Sequence, residues 1–238
     1  GFPELIGFAE IVGARGLTFW IALVNGMLAA IVLSLREGRA WRRQCVIIAA
    51  VLALPMVWSV WRASTLQMRA VAQIAVVQPN IPEHIKLDES VGLDSTFASL
   101  DRLMPRLEPG SVGLVVMPEV TFPTYLTHPA AADVASRVQA YSREVGAPIL
   151  VGGFGHEFLD DGTFIPYNSA FLVEPQGLTD FQYDKRYLVP MVERVPLLPR
   201  NWLPTLRNFG TYGKGKDWPL AEVADHFFAV LICYESIY

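Results

Sequence analysis

The sequence predicts an α/β domain preceded by two membrane-spanning helices. Two long uncharged stretches lie near the N-terminus, and strand-like and helix-like segments alternate from Val71 onward. Charge divides the chain at the same place. Residues 1–69 carry seven Lys/Arg against three Asp/Glu, while residues 70–238 carry twelve against twenty, within a net charge of −4. The expected organisation is therefore a membrane segment over 1–69 and a water-facing domain over 70–238. An acidic domain excludes a nucleic-acid partner, because that surface would repel phosphates.

The first span is expected over Leu17–Leu35, 19 residues without a charge, enough for about 28 Å of helix. Gln44–Trp61 is a second such stretch of 18 residues. Pro55 inside it is expected to kink the helix, which membrane helices tolerate when neighbours supply hydrogen bonds. Trp41, Trp58 and Trp61 stand near its ends, where interfacial aromatics belong. Asn25 in the first span is expected to bond to a neighbouring helix, the alternative being a contact with a lipid head group or substrate. The connector Arg36–Arg43 holds four arginines and one acid, and short arginine-rich loops face the cytoplasm. The second span then runs outward and places everything after Arg62 on the outer face.

In the domain, Val71–Val77 reads as strand, Ser90–Leu107 as helix, Leu114–Met117 as strand and Ala130–Val145 as helix. Ile149–Gly153 is a strand, and Asn168–Val173 with Leu178–Tyr183 forms a hairpin about the turn Glu174-Pro175-Gln176-Gly177. Pro190–Pro219 contains five prolines and reads as a long functional loop. The apolar run Phe227–Ile232 reads as a buried strand.

Three chemistry-bearing groups stand at strand ends. Glu119 follows Leu114–Met117 and Pro118, Lys185 follows Tyr183 and Asp184, and Cys233 closes the run Phe227–Ile232. A carboxylate, an ammonium and a thiol so placed suit nucleophilic chemistry, since a thiol needs a base or a nearby positive charge to become reactive.

This set, in this order, resembles the Glu-Lys-Cys triad of the nitrilase (carbon-nitrogen hydrolase) superfamily. The resemblance extends through Asn168-Ser169-Ala170, Pro175-Gln176-Gly177, Tyr183–Arg186 and Cys233-Tyr234-Glu235. The segment Lys185–Pro190, the following Glu193–Leu197 and the two spans resemble the apolipoprotein N-acyltransferase branch. The resemblance implies an α-β-β-α sandwich, here incomplete towards its C-terminus in what reads as an internal stretch of a longer protein. It implies catalytic Glu119, Lys185 and Cys233, supporting Glu193, Glu235 and Tyr234, and no cofactor. It also implies a phospholipid acyl donor, a diacylglyceryl lipoprotein acceptor and a bacterial inner membrane, with the domain on the periplasmic side. Met191-Val192-Glu193-Arg194 departs from the branch's usual Phe-Gly-Glu-Tyr-like stretch, which bears on substrate preference.

Rival chemistries fit less well. Gly210–Lys216 has P-loop spacing, but Asp217 replaces the hydroxyl residue and Trp218-Pro219 prevents a helix, so a flexible surface loop is expected. His84, His128, His156 and His226 lack metal-ligand spacing, and no metal is expected. His226 would stand roughly 23 Å up the strand from Cys233. A membrane-tethered amidase or nitrilase, and a non-catalytic membrane protein with a degenerate domain, stay open on sequence grounds.

Overall fold

A computed structural model describes residues 7–67, 70–88, 90–190, 192–193 and 212–237. Contacts divide the chain into a unit over residues 1–69, joined by 237–238, and a unit spanning Ala70–Ser236.

The first unit is two helices, α1 (Ala9–Arg36) and α2 (Arg42–Thr65), both long and apolar enough to cross a membrane. Gly13, at φ 66°, interrupts the helical geometry of α1. Pro55 lies inside α2. Proline has no N–H, so the carbonyl four residues earlier loses its helical donor. That carbonyl belongs to Val51, and Trp20 of α1 donates to it through Nε1 at 3.0 Å. At the other end of the pair, Glu10 accepts from Trp58 Nε1 at 3.1 Å and Arg62 Nε at 3.0 Å. Asn25 is exposed and makes no side-chain hydrogen bond among the described residues, so Trp20 supplies the interhelical bond expected of it.

The second unit is built on a five-stranded sheet in sequence order. Strands β1 (Ile74–Val76), β2 (Leu114–Val116) and the start of β3 (Ile149–Phe158) run parallel. Between them lie α3 (Glu83–Lys86), α4 (Gly92–Leu103) and α5 (Ala132–Val145), the crossovers that parallel strands require. Strands β4 (Phe164–Glu174) and β5 (Gly177–Asp184) continue the sheet antiparallel.

Alternation along the strands separates two cores. Val115, Ile149, Val151, Phe171 and Val173 pack with Phe97, Leu100, Val138 and Tyr141 of the helices. Leu114, Leu150, Ala170, Leu172 and Tyr183, on the opposite face, pack with Val230 and Ile232. Phe122, Phe171 and Leu100 are fully buried, and each such side chain stabilises the fold by about 1.5–3 kcal/mol. Helix layer, sheet and a second β layer are thus present among the described residues.

Several boundaries differ from the sequence reading. The strand expected over Ile149–Gly153 runs on to Phe158, because all ten of its residues pair with β4. The expected buried strand Phe227–Ile232 is strand only at its start. β6 (Ala221–Val223) and β7 (His226–Phe228) form a hairpin, and residues 229–232 carry no regular structure. Phe227 and Leu231 are exposed while Val230 and Ile232 are buried, so the run is one-sided. Most of the segment expected as a long loop, including residues 194–211, lies outside the described residues. Tyr212–Gly215, expected as flexible surface, instead packs along the sheet. Gly213 N donates to Pro166 O at 2.7 Å and Gly215 N to Lys185 O at 3.0 Å, with both glycines buried.

Candidate active site

Glu119 is positioned by an abrupt turn after β2. Its neighbour Val120 adopts φ 46°, a left-handed conformation unfavourable for a β-branched residue and typical of strained functional turns. Thr121 Oγ1 donates to Pro118 O at 2.6 Å and closes the turn. The turn lies against β3 where Gly152 has no side chain. A Cβ there would stand 2.5 Å from Val120 N and 2.6 Å from Pro118 O.

Lys185 follows β5, and Lys185 N donates to Asn168 O at 2.8 Å, extending the β4–β5 pairing by one step. Its side chain is only 1% exposed. Nζ reaches Glu119 Oε1 at 3.0 Å and Glu193 Oε1 at 2.8 Å. Burial pulls the ammonium's pKa down, but its bonds to Glu193 and Glu119 outweigh that and leave it raised. Lys185 is therefore a fixed cation shared by two carboxylates.

Asn168, from the middle of β4, ties the carboxylates together. Its Nδ2 donates to Glu119 Oε1 at 2.6 Å and to Glu193 Oε1 at 3.2 Å, while its buried Oδ1 has no partner among the described residues. Glu193 also accepts from Val189 N at 2.8 Å.

Cys233 opens a 3-10 turn, Cys233–Ile237, with φ 52°. Its thiol is exposed. Desolvation and the adjacent Glu119 carboxylate push its pKa up, against the lowering effects of Lys185 and the Tyr234 backbone. Tyr234 thus acts on the sulfur through its main chain, and its own side chain is exposed.

Glu235 is buried and braces this turn. It accepts from Tyr183 Oη at 2.8 Å, Arg186 N at 2.7 Å, Tyr187 N at 2.9 Å and Ile232 N at 2.8 Å. One carboxylate so fastens the segment after Lys185 to the segment that carries Cys233. Burial and the Glu235 carboxylate hold the Tyr183 hydroxyl well above the ordinary tyrosine range.

The structure therefore brings Glu119, Lys185, Glu193 and Cys233 into one electrostatic cluster, with Glu235 beneath it. Sequence reading missed Asn168, Tyr183 and Tyr212 as parts of this site. Tyr212 lies tilted against Phe154, with ring centroids 5.9 Å apart, and burial together with Glu193 and Glu119 raises its pKa. The signal for Asn168 was a lone amide within a strand of otherwise buried residues, where such a group demands partners. No cluster of three or more metal-ligating side chains occurs among the described residues.

The family model for carbon-nitrogen hydrolases matches residues 73–238. The chain belongs to the carbon-nitrogen hydrolase family. Among curated proteins, it is similar to an apolipoprotein N-acyltransferase of Geobacter metallireducens, 31% identical over 98% of this chain and 45% of that protein. It is also similar to one of Ralstonia nicotianae, 27% identical over 98% of this chain and 42% of that protein. The chain thus spans less than half the length of these relatives. Among solved structures, a CN-hydrolase superfamily protein from Xanthomonas campestris with an arsenic adduct in its active site matches with a TM-score of 0.45. It is 18% identical and covers 69% of this chain and 54% of that one.

Proposed function

We propose that this chain carries the catalytic centre of a membrane-bound N-acyltransferase, with Cys233 as nucleophile, Glu119 as general base and Lys185 as the fixed cation. The observation that carries the reading is the shared ammonium: Lys185 Nζ lies 3.0 Å from Glu119 and 2.8 Å from Glu193. Because Glu193 takes part of the lysine's charge, Glu119 is not fully neutralised and can accept a proton. The raised thiol pKa fits a neutral resting Cys233 that surrenders its proton to Glu119 only as attack begins.

In the first half-reaction the sulfur attacks the ester carbonyl of a phospholipid, and its proton passes to Glu119. Lys185 and backbone amides such as that of Tyr234 stabilise the oxyanion. The ester C–O bond breaks, Glu119 returns the proton to the leaving alkoxide, and a lysophospholipid departs from a thioester on Cys233. In the second, the α-amine of a diacylglyceryl-cysteine lipoprotein attacks the thioester. The C–S bond breaks, an amide forms, and the amine's proton restores the thiol through Glu119. Glu193 and Asn168 orient the charged groups, and Glu235 and Tyr234 hold the nucleophile's turn.

Both substrates are membrane lipids, which gives α1 and α2 a role in keeping the centre at the bilayer. The arginine-rich loop between them supports a multi-pass protein of the bacterial inner membrane with its domain on the periplasmic face. The names carried by the relatives support acyl transfer over hydrolysis. The test is mass spectrometry of full-length protein incubated with phospholipid and no amine acceptor. An acyl adduct on Cys233, discharged to amide by a lipopeptide amine, is expected. Discharge only to free fatty acid would favour a membrane-tethered amidase or other hydrolase, and no adduct would leave a degenerate domain.

A further inference from the structure

Beside the Cys233 turn, Arg186 lies with its guanidinium carbon 4.7 Å above the ring of Trp218. Trp218 in turn stacks on Tyr183, with centroids 5.7 Å apart and planes 22° apart, and meets Tyr187 at 6.3 Å. Arg186 Nε is buried without a hydrogen-bond partner, and Arg186 makes no ion pair among the described residues. A guanidinium over an aromatic ring keeps its charge and its N–H edge. Nothing in the described protein answers that edge.

The pair is also fastened to the catalytic frame. Arg186 N donates to Glu235 Oε1 at 2.7 Å, Lys185 precedes it, and Glu235 lies two residues past Cys233. Trp218, Tyr187 and Tyr234 are each more than a third exposed, as suits amphipathic rings at a bilayer–water boundary. A planar donor edge among interfacial aromatics matches the phosphodiester of a lipid headgroup, which takes paired N–H donors.

We propose that Arg186, oriented by Trp218, binds the phosphate of the phospholipid donor and so sets its register at Cys233. This rests on the acyl-transfer reading above. The backbone bond to Glu235 does not involve the Arg186 side chain, so Arg186→Gln and Arg186→Lys leave that brace in place, and thermal melting checks it.

The experiment measures acyl-adduct formation on Cys233 of full-length protein in mixed micelles. One donor is phosphatidylglycerol at varied mole fraction, and the other is a phosphate-free p-nitrophenyl ester. Arg186→Gln is expected to raise the half-saturating phospholipid mole fraction at least tenfold more than it affects the p-nitrophenyl ester. Arg186→Lys should recover only part of that loss, and Trp218→Leu should produce an intermediate one. Equal effects on both donors, or none on phospholipid, overturn the assignment while leaving acyl transfer intact. A wild-type protein that takes acyl from the p-nitrophenyl ester but never from phospholipid removes the acyl-transfer reading, and this inference with it.

Discussion

Asn168 Nδ2 lies 2.6 Å from Glu119 Oε1, inside hydrogen-bonding distance of the carboxylate that also meets Lys185. The same amide reaches Glu193. One neutral side chain therefore spaces two carboxylates around one ammonium, and neither acid can shift without losing a donor. Replacing Asn168 by Leu removes both bonds while keeping the volume. Acyl-adduct formation on Cys233 is expected to slow by about 10–100-fold, and a slower approach to the same endpoint in a single-turnover assay checks it. An unaltered rate would show that Lys185 alone orients Glu119.

The roles proposed for Glu119, Lys185 and Cys233 predict separable outcomes on substitution. Cys233→Ala abolishes adduct formation, because no other group carries the acyl chain. Glu119→Gln slows acylation by about 10²–10⁴-fold through loss of the base. Lys185→Ala is comparably severe, and Lys185→Arg restores little, since a planar guanidinium does not replace a compact ammonium in a site that is 1% exposed. Adduct in Cys233→Ala would end the thioester mechanism. Full acylation of Glu119→Gln would remove only that residue's role.

The thiol's pH response follows from its neighbours. Because its pKa is raised, the reactive thiolate is scarce at neutral pH, and alkylation by iodoacetamide should climb only above the ordinary thiol range. Glu119→Gln removes an opposing negative charge and should move the midpoint down. Lys185→Met removes a stabilising positive charge and should move it up. Alkylation rates across pH, followed by peptide mass spectrometry at Cys233, read both directions.

Much of this was legible in the sequence for a physical reason. The parallel strand β2 is an uncharged run, so Glu119 announced itself as the first charged group past its end, while Lys185 was found by its place just after the antiparallel hairpin strand β5. The Cys233 strand was misread because a six-residue apolar run does not reveal which residues find partners. Pairing with β6 stops at Phe228, and burial then alternates. Asn168 and Tyr183 were missed as site residues because their roles depend on cross-strand register. Ser169 lies opposite Asp184, which brings Asn168 beside Lys185, and no local pattern encodes that alignment. The P-loop-like stretch was read as flexible surface because spacing alone does not show that Gly213 and Gly215 lie buried against the sheet. A Cβ at Gly215 would run into the Asp184 carbonyl.

The proposed orientation has its own test. A cysteine at Ala40, in the arginine-rich connector, should resist an impermeant thiol reagent in intact cells, while one at Asp160 should be labelled. The reverse pattern would place the domain in the cytoplasm.

Gly152 gives the last prediction, because it isolates the shape of the site from its charges. The turn through Pro118, Glu119 and Val120 lies directly against this residue, and the atoms a Cβ would meet, Val120 N and Pro118 O, are backbone. Backbone cannot rotate away as a flexible side chain would, so Gly152→Ala must displace the turn or the strand. Overpacking of this kind costs about 1–3 kcal/mol. Since β3 is paired to β4 along its whole length, the turn should give way first and carry Glu119 off Lys185 and Asn168. Adduct formation is then expected to fall at least tenfold, with a lower thermal midpoint. Gly113→Ala serves as the comparison: its nearest contact is the Ala72 side chain at 3.3 Å, and its acylation rate should stay within about twofold of wild type. Equal losses in the two variants would mean that the strand yields rather than the turn, and that Glu119 is not held by this contact.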